Sequence, residues 1–136
     1  MRDGSTIRDV CGTAGGTGVY VKNGRFIMNG GTIKNCVHEY TGCGVLLDNP
    51  YVYFEMNGGI VENKIGLCGG GVSVHIGATF LKTGGIIRNN VARPYMSFPS
   101  FGNQVSNGST KYLDLNVYEN HNIDSRLDGA EGGWVE

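Results

Sequence analysis

Twelve acidic side chains, four cysteines and three histidines carry whatever acid–base, thiol or metal chemistry this 136-residue chain can perform. A glycosidase-type reaction needs two carboxyls about 5–9.5 Å apart. A Ca²⁺ site needs several clustered oxygen ligands. In the repeat region the acids are spread singly instead: Asp48, Glu55 and Glu62 each stand among basic or apolar neighbours, while the later acids Asp114, Glu119, Asp124 and Asp128 have no place on the repeat columns. No Cys-x-x-Cys pair occurs and the histidines are scattered, so a zinc site has no support. No metal or other cofactor is expected. Gly69-Gly70-Gly71 has no helix after it and does not read as a phosphate loop. Aromatic side chains are the better candidates for contact with a ligand, and their placement depends on the elements that carry them.

Those elements come from a repeat. Phe26-Ile27-Met28-Asn29-Gly30-Gly31-Thr32-Ile33-Lys34-Asn35 recurs as Phe54-Glu55-Met56-Asn57-Gly58-Gly59-Ile60-Val61-Glu62-Asn63. It recurs again as Phe80-Leu81-Lys82-Thr83-Gly84-Gly85-Ile86-Ile87-Arg88-Asn89. The steps between the Phe residues are 28 and 26. A second anchor, Gly18-Val19-Tyr20-Val21, returns as Gly44-Val45-Leu46-Leu47 and Gly71-Val72-Ser73-Val74, in steps of 26 and 27. Within each copy apolar residues alternate with a period of two, the mark of strands. Asn-Gly at 29–30 and 57–58 is turn chemistry. Three short strands per unit cannot bury an apolar face alone. Coiling the chain so that equivalent strands stack in parallel, about 4.8 Å apart, buries it. The expected fold is all-β: a single-stranded parallel β-helix, or β-solenoid, with three short strands per coil of about 27 residues and about four to five coils.

Phe-x-Met-x-Gly-Gly-x-Ile-x-x-Asn, a variable loop and then Gly-Val-x-Val resembles the repeats of bacterial surface proteins with a right-handed parallel β-helix. Adhesin-like and autotransporter-like proteins carry such repeats, and pectate-lyase-like enzymes and phage tail spikes have related helices. The match covers residues 18–91. The resemblance implies a right-handed helix and an extracellular or cell-surface location as part of a longer secreted protein. It implies a non-enzymatic adhesin-type module that binds a glycan or a host or cell-surface protein, or that serves as a spacer. The alternative is a fragment of a polysaccharide-acting enzyme or tail spike. The repeats themselves are scaffold and do not fix function.

One domain spans 1–136. Residues 1–17 read as a partial first coil or cap, 18–91 as regular repeats, and 92–136 as a long loop, a last coil and a cap or tail. Aligned on the Gly-Gly pairs, Asn35, Asn63 and Asn89 form a column at a bend, with Asp9 fitting one coil earlier. A side-chain hydrogen-bond ladder is the favoured reading there, ahead of a polar binding site. Cys11, Val37, Ile65 and Val91 read as the next inward column, with Cys11 acting as a small hydrophobe. Arg8, Lys34, Glu62 and Arg88 read as an outward charge ladder, and so do Lys22, Asp48 and His75. Tyr20, Leu46 and Ser73 form another outward column. Lys82 replaces the Met of 28 and 56, which implies either a corner where Lys snorkels or a less regular coil. Cys43 and Cys68 precede the Gly-Val anchor in adjacent coils and form a candidate disulfide.

Candidate binding residues are the aromatics on turns, Tyr40, Tyr51 and Tyr53, and those of the Pro-interrupted segment 92–101, Tyr95, Phe98 and Phe101. That segment reads either as a lid over an apolar face or as a ligand contact. A formal net charge of -1 argues against nucleic acid as partner. No apolar run reaches the ~18–20 residues of a membrane span. Open coil ends offer a route to self-association.

Overall fold

The computed structural model describes residues 1–12, 18–38, 44–62, 65–67, 71–74, 77–93, 105–106 and 117–119. These residues form short strands with no helix. In chain order the strands are β1 (Thr6–Arg8), β2 (Cys11–Gly12), β3 (Val19–Val21), β4 (Arg25–Met28), β5 (Thr32–Lys34), β6 (Val37–His38), β7 (Val45–Leu47) and β8 (Tyr53–Met56). They continue with β9 (Ile60–Glu62), β10 (Ile65–Leu67), β11 (Val72–Val74), β12 (Thr79–Lys82), β13 (Ile86–Arg88), β14 (Val91–Arg93), β15 (Val105–Ser106) and β16 (Val117–Glu119).

Every fourth strand pairs. Four parallel sheets result: sheet I is β3-β7-β11-β15, sheet II β4-β8-β12-β16, sheet III β1-β5-β9-β13 and sheet IV β2-β6-β10-β14. The arrangement is compatible with a β-solenoid. Each repeat holds four strands, against the three read from the sequence. The extra strand is the short one after the Asn column, such as Val37–His38, which builds sheet IV. A left-handed residue at Asp9, Asn35 and Asn89 interrupts the alternation just before β2, β6 and β14, which is why the period of two does not run on into them.

The register follows the sequence anchors. Phe26 pairs with Phe54 and Phe54 with Phe80. Their rings stack at 5.1 and 4.9 Å between centroids, and Phe54 and Phe80 are fully buried. Beside them run the buried Met28 and Met56. Asn57 N donates to Met28 O and Thr83 N to Met56 O, both at 2.8 Å. Asn29 N donates likewise to Met1 O at 2.9 Å, so Met1 takes the place of Met28 one repeat earlier. Ile33, Val61 and Ile87 line the inside of sheet III, and Val45, Leu47, Val72 and Val74 the inside of sheet I.

Two glycine positions are structural requirements. The second Gly of each pair, Gly31, Gly59 and Gly85, has φ of 87°, 89° and 78°, a region costly for a side chain. Gly18 and Gly44 lie so close to the next repeat that a Cβ would strike the carbonyl oxygens of Gly44 and Gly71.

Sheet IV corrects the expected inward column. Cys11, Val37, Ile65 and Val91 are in register, yet Cys11, Val37 and Val91 are exposed and Ile65 is half-buried. Cys36 and Asn90 are the buried positions, and Val10 packs on the core. The cause lies one residue earlier. Asp9, Asn35 and Asn89 have φ of 56°, 53° and 53°. A left-handed residue between two strands interrupts their alternation, so the next inward residue comes one position sooner. Asn and Asp tolerate that conformation better than other side chains. Two more positions differ from expectation. Leu46 is buried while Tyr20 and Ser73 of its column are not, and Lys82 is fully buried in register with Met56 instead of reaching the surface.

Candidate binding face

The outer faces of sheets I and II meet at the turn between β7 and β8. Asp48 N donates to Val21 O at 3.1 Å, holding the start of the turn. The Asn49 side-chain oxygen accepts from Tyr51 N at 2.9 Å, and Asn49 O accepts from Val52 N at 3.3 Å. This is local Asx-turn chemistry, completed by Pro50. Val52 turns inward and is buried, and its carbonyl accepts from Thr79 N at 3.0 Å. Pinned on both sides, the turn presents Tyr51 with 91% of its surface exposed.

Tyr53, two residues on, stands in register with Arg25. The Arg25 guanidinium lies over its ring at 4.8 Å from the centroid, a cation–π contact. Arg25 also pairs with Glu55. The other oxygen of Glu55 accepts from the Asn57 amide at 2.8 Å. That amide also donates to Asn29 Oδ1 at 2.9 Å, and Thr83 Oγ1 donates to Asn57 Oδ1. One network thus runs from Tyr53 through Arg25, Glu55 and Asn57 to Asn29 and Thr83. Beside it, the Tyr20 hydroxyl donates to Asp48.

The electrostatics follow from these bonds. The Asn57 hydrogen bond, then the Arg25 bond and charge, hold Glu55 below its ordinary value. The hydrogen bond to Asp48 raises Tyr20 above its own. A general acid needs a carboxyl raised toward working pH. Glu55 is pulled the opposite way and remains an ionised acceptor. Among the described residues no three His, Cys, Asp or Glu side chains gather as a metal site. The face is equipped to stack and to hydrogen-bond.

Of the sequence-derived aromatics, Tyr51 sits on this turn, whereas Tyr53, read from the sequence as a turn residue, is the first residue of β8 and half-buried, because the strand pairing with Arg25 begins there. Tyr40, Tyr95, Phe98 and Phe101 lie outside the described residues, as do Asn63 and both cysteines of the candidate disulfide, Cys43 and Cys68. Asn35 and Asn89 occupy the bend before sheet IV, and Asn35 Nδ2 donates to Asp9 Oδ1 at 3.1 Å. Arg88 pairs with Glu62 at 2.9 Å on the outer charge column. Sequence reasoning missed Arg25, Asn57 and the link between Tyr20 and Asp48. Arg25 was within reach: it precedes Phe26 as Tyr53 precedes Phe54, so the Phe alignment sets the two side by side. No protein-family model, curated protein or solved structure matches the chain.

Proposed function

We propose that this chain is a non-enzymatic, adhesin-type module built on a right-handed parallel β-helix of four to five coils. Its place is extracellular or at a cell surface, within a longer secreted protein. Its ligand is a glycan, held at the turn between β7 and β8. The observation that carries this reading is Tyr51: a large aromatic left 91% exposed on a turn whose flanks are pinned. Ring faces stack on the apolar faces of sugars, and rigid display lowers the ordering cost of binding. Arg25 lies over Tyr53, and Glu55 and Asn57 follow further along the same strand edge, carrying donor and acceptor atoms for hydroxyl groups.

A glycan-array screen of the purified chain tests this. Reproducible binding that is lost in Tyr51→Ala and reduced in Tyr53→Ala supports the assignment. Binding that survives Tyr51→Ala moves the site elsewhere. Absence of binding to every arrayed glycan rejects the carbohydrate reading across that array.

A further inference from the structure

Three Asn-Gly pairs lie among the described residues, at 23–24, 29–30 and 57–58. Such a pair is open to one intramolecular reaction. Glycine has no side chain to shield its nitrogen, which can reach the side-chain carbonyl carbon of the asparagine before it. The reaction needs an asparagine amide that can rotate and a glycine N–H without a partner. The three pairs differ in both respects.

Asn57 has neither freedom. Its amide nitrogen donates to Asn29 Oδ1 at 2.9 Å and to Glu55 Oε1 at 2.8 Å, and its oxygen accepts from Thr83. Gly58 N donates to Met28 O at 3.2 Å. A Cβ on Gly58 would stand 2.6 Å from Asn29 O, so the neighbouring repeat leaves little space there. Asn29 is held through its own oxygen by Asn57, and Gly30 is buried against Asp3. The turn between β3 and β4 is open by comparison. Asn23 and Gly24 are both exposed, and a Cβ on Gly24 would meet nothing within 4 Å. Among the described residues nothing bonds the Asn23 amide or the Gly24 N–H. The Gly24 carbonyl accepts from Tyr53 N at 3.1 Å, which ties the turn to β8 without engaging the reacting nitrogen.

We propose that Asn23 is a site of spontaneous deamidation, with water as the co-reactant. Gly24 N attacks Asn23 Cγ and a C–N bond forms. The bond from Cγ to Nδ2 breaks, and Nδ2 leaves as ammonia with the proton that Gly24 N gives up. Water then opens the five-membered ring at one of its two carbonyls. Its oxygen stays on that carbon as a carboxylate, one proton goes to the ring nitrogen and one to solvent. Opening at Cγ yields Asp, and opening at the main-chain carbonyl yields the isoaspartyl linkage. Either product adds a negative charge to the turn stacked on the one that displays Tyr51. Asp48 N donates to Val21 O and Tyr53 N to Gly24 O across these two turns, both at 3.1 Å. The isoaspartyl product also lengthens the main chain by one carbon between those anchors.

Peptide mapping by mass spectrometry tests the assignment. The purified chain is aged in mildly alkaline buffer, folded and in guanidinium chloride, and the rate is read at each Asn-Gly pair. Asn107-Gly108, outside the described residues, falls in its own peptide. In the folded chain Asn23 is expected to deamidate about tenfold or more faster than Asn57, because the bonds on Asn57 and Gly58 must open first. In the unfolded chain the two rates are expected to converge. Asn57 reacting as fast as Asn23 in the folded chain overturns the proposal. A rate ratio that is the same folded and unfolded also overturns it, since the difference then comes from neighbouring sequence and not from the turn.

Discussion

Two outer surfaces of the same repeat have opposite characters. On the outer face of sheet II and the turns that follow its strands, Arg25, Glu55, Asn57, Asn29 and Thr83 are tied into one hydrogen-bonded network, and Tyr51 is displayed on the turn that enters β8. Along sheet IV, Cys11, Val37, Ile65 and Val91 stack as a mostly exposed apolar column. The first surface backs onto four-residue strands whose inner side is the Phe stack. The second backs onto strands of two or three residues, of which β2, β6 and β14 enter through a left-handed Asp or Asn. Strand length and the bend before it decide which side chains face solvent. Amphipathic alternation alone does not.

The comparison is broken most severely by removing the support behind the first surface. Phe54→Ala deletes the middle ring of the stack and is expected to cost about 3–5 kcal/mol in denaturant unfolding. Next is the bend that sets the second surface. Asn35→Val places a β-branched residue at a φ of 53° and removes the bond to Asp9, for an expected loss of about 1–3 kcal/mol. Asn35→Gly keeps the backbone and is expected to lose less.

A smaller effect is expected from pH. Glu55 is lowered in the folded chain, so its contribution is fully present above the unfolded value, near 4.5, and is lost as pH falls through the folded value. Melting curves of the wild type and Glu55→Gln from pH 7 to strongly acid conditions are expected to differ at neutral pH and to converge at the acid end. The smallest change is expected at sheet IV. Val37→Ser should shift stability by no more than about 0.5 kcal/mol, because an exposed apolar side chain contributes little. An inward Val37 would instead cost more than about 2 kcal/mol.

Much of the fold was legible. The Phe and Gly-Val anchors announce parallel stacking of short strands, and the pairing of Phe26 with Phe54 and Phe80 follows those anchors. Sheet IV was not legible in the same way. Val37 looks like a core residue by hydropathy, and nothing local to it reveals that Asn35 has taken a left-handed φ. The signal was present but needed to be read as a conformational switch: Asp9, Asn35 and Asn89 are residue types that adopt αL, recurring at one place in the repeat. Tyr51 was visible as a turn aromatic, whereas Tyr53 proved to open a strand. The polar network beside Tyr53 was not visible, because Arg25 and Glu55 meet diagonally across β4 and β8 and belong to different columns of the alignment.

The proposal that the glycan is held at the turn between β7 and β8, and not along sheet IV, is tested most directly by affinity measurements on three proteins. For a glycan found by the array, the wild type, Tyr51→Ala and Val37→Ser would be titrated side by side. The account predicts that Tyr51→Ala weakens binding by about tenfold or more with an unchanged melting temperature, while Val37→Ser binds as the wild type does. Full affinity in Tyr51→Ala together with a loss in Val37→Ser would contradict it and transfer the site to sheet IV.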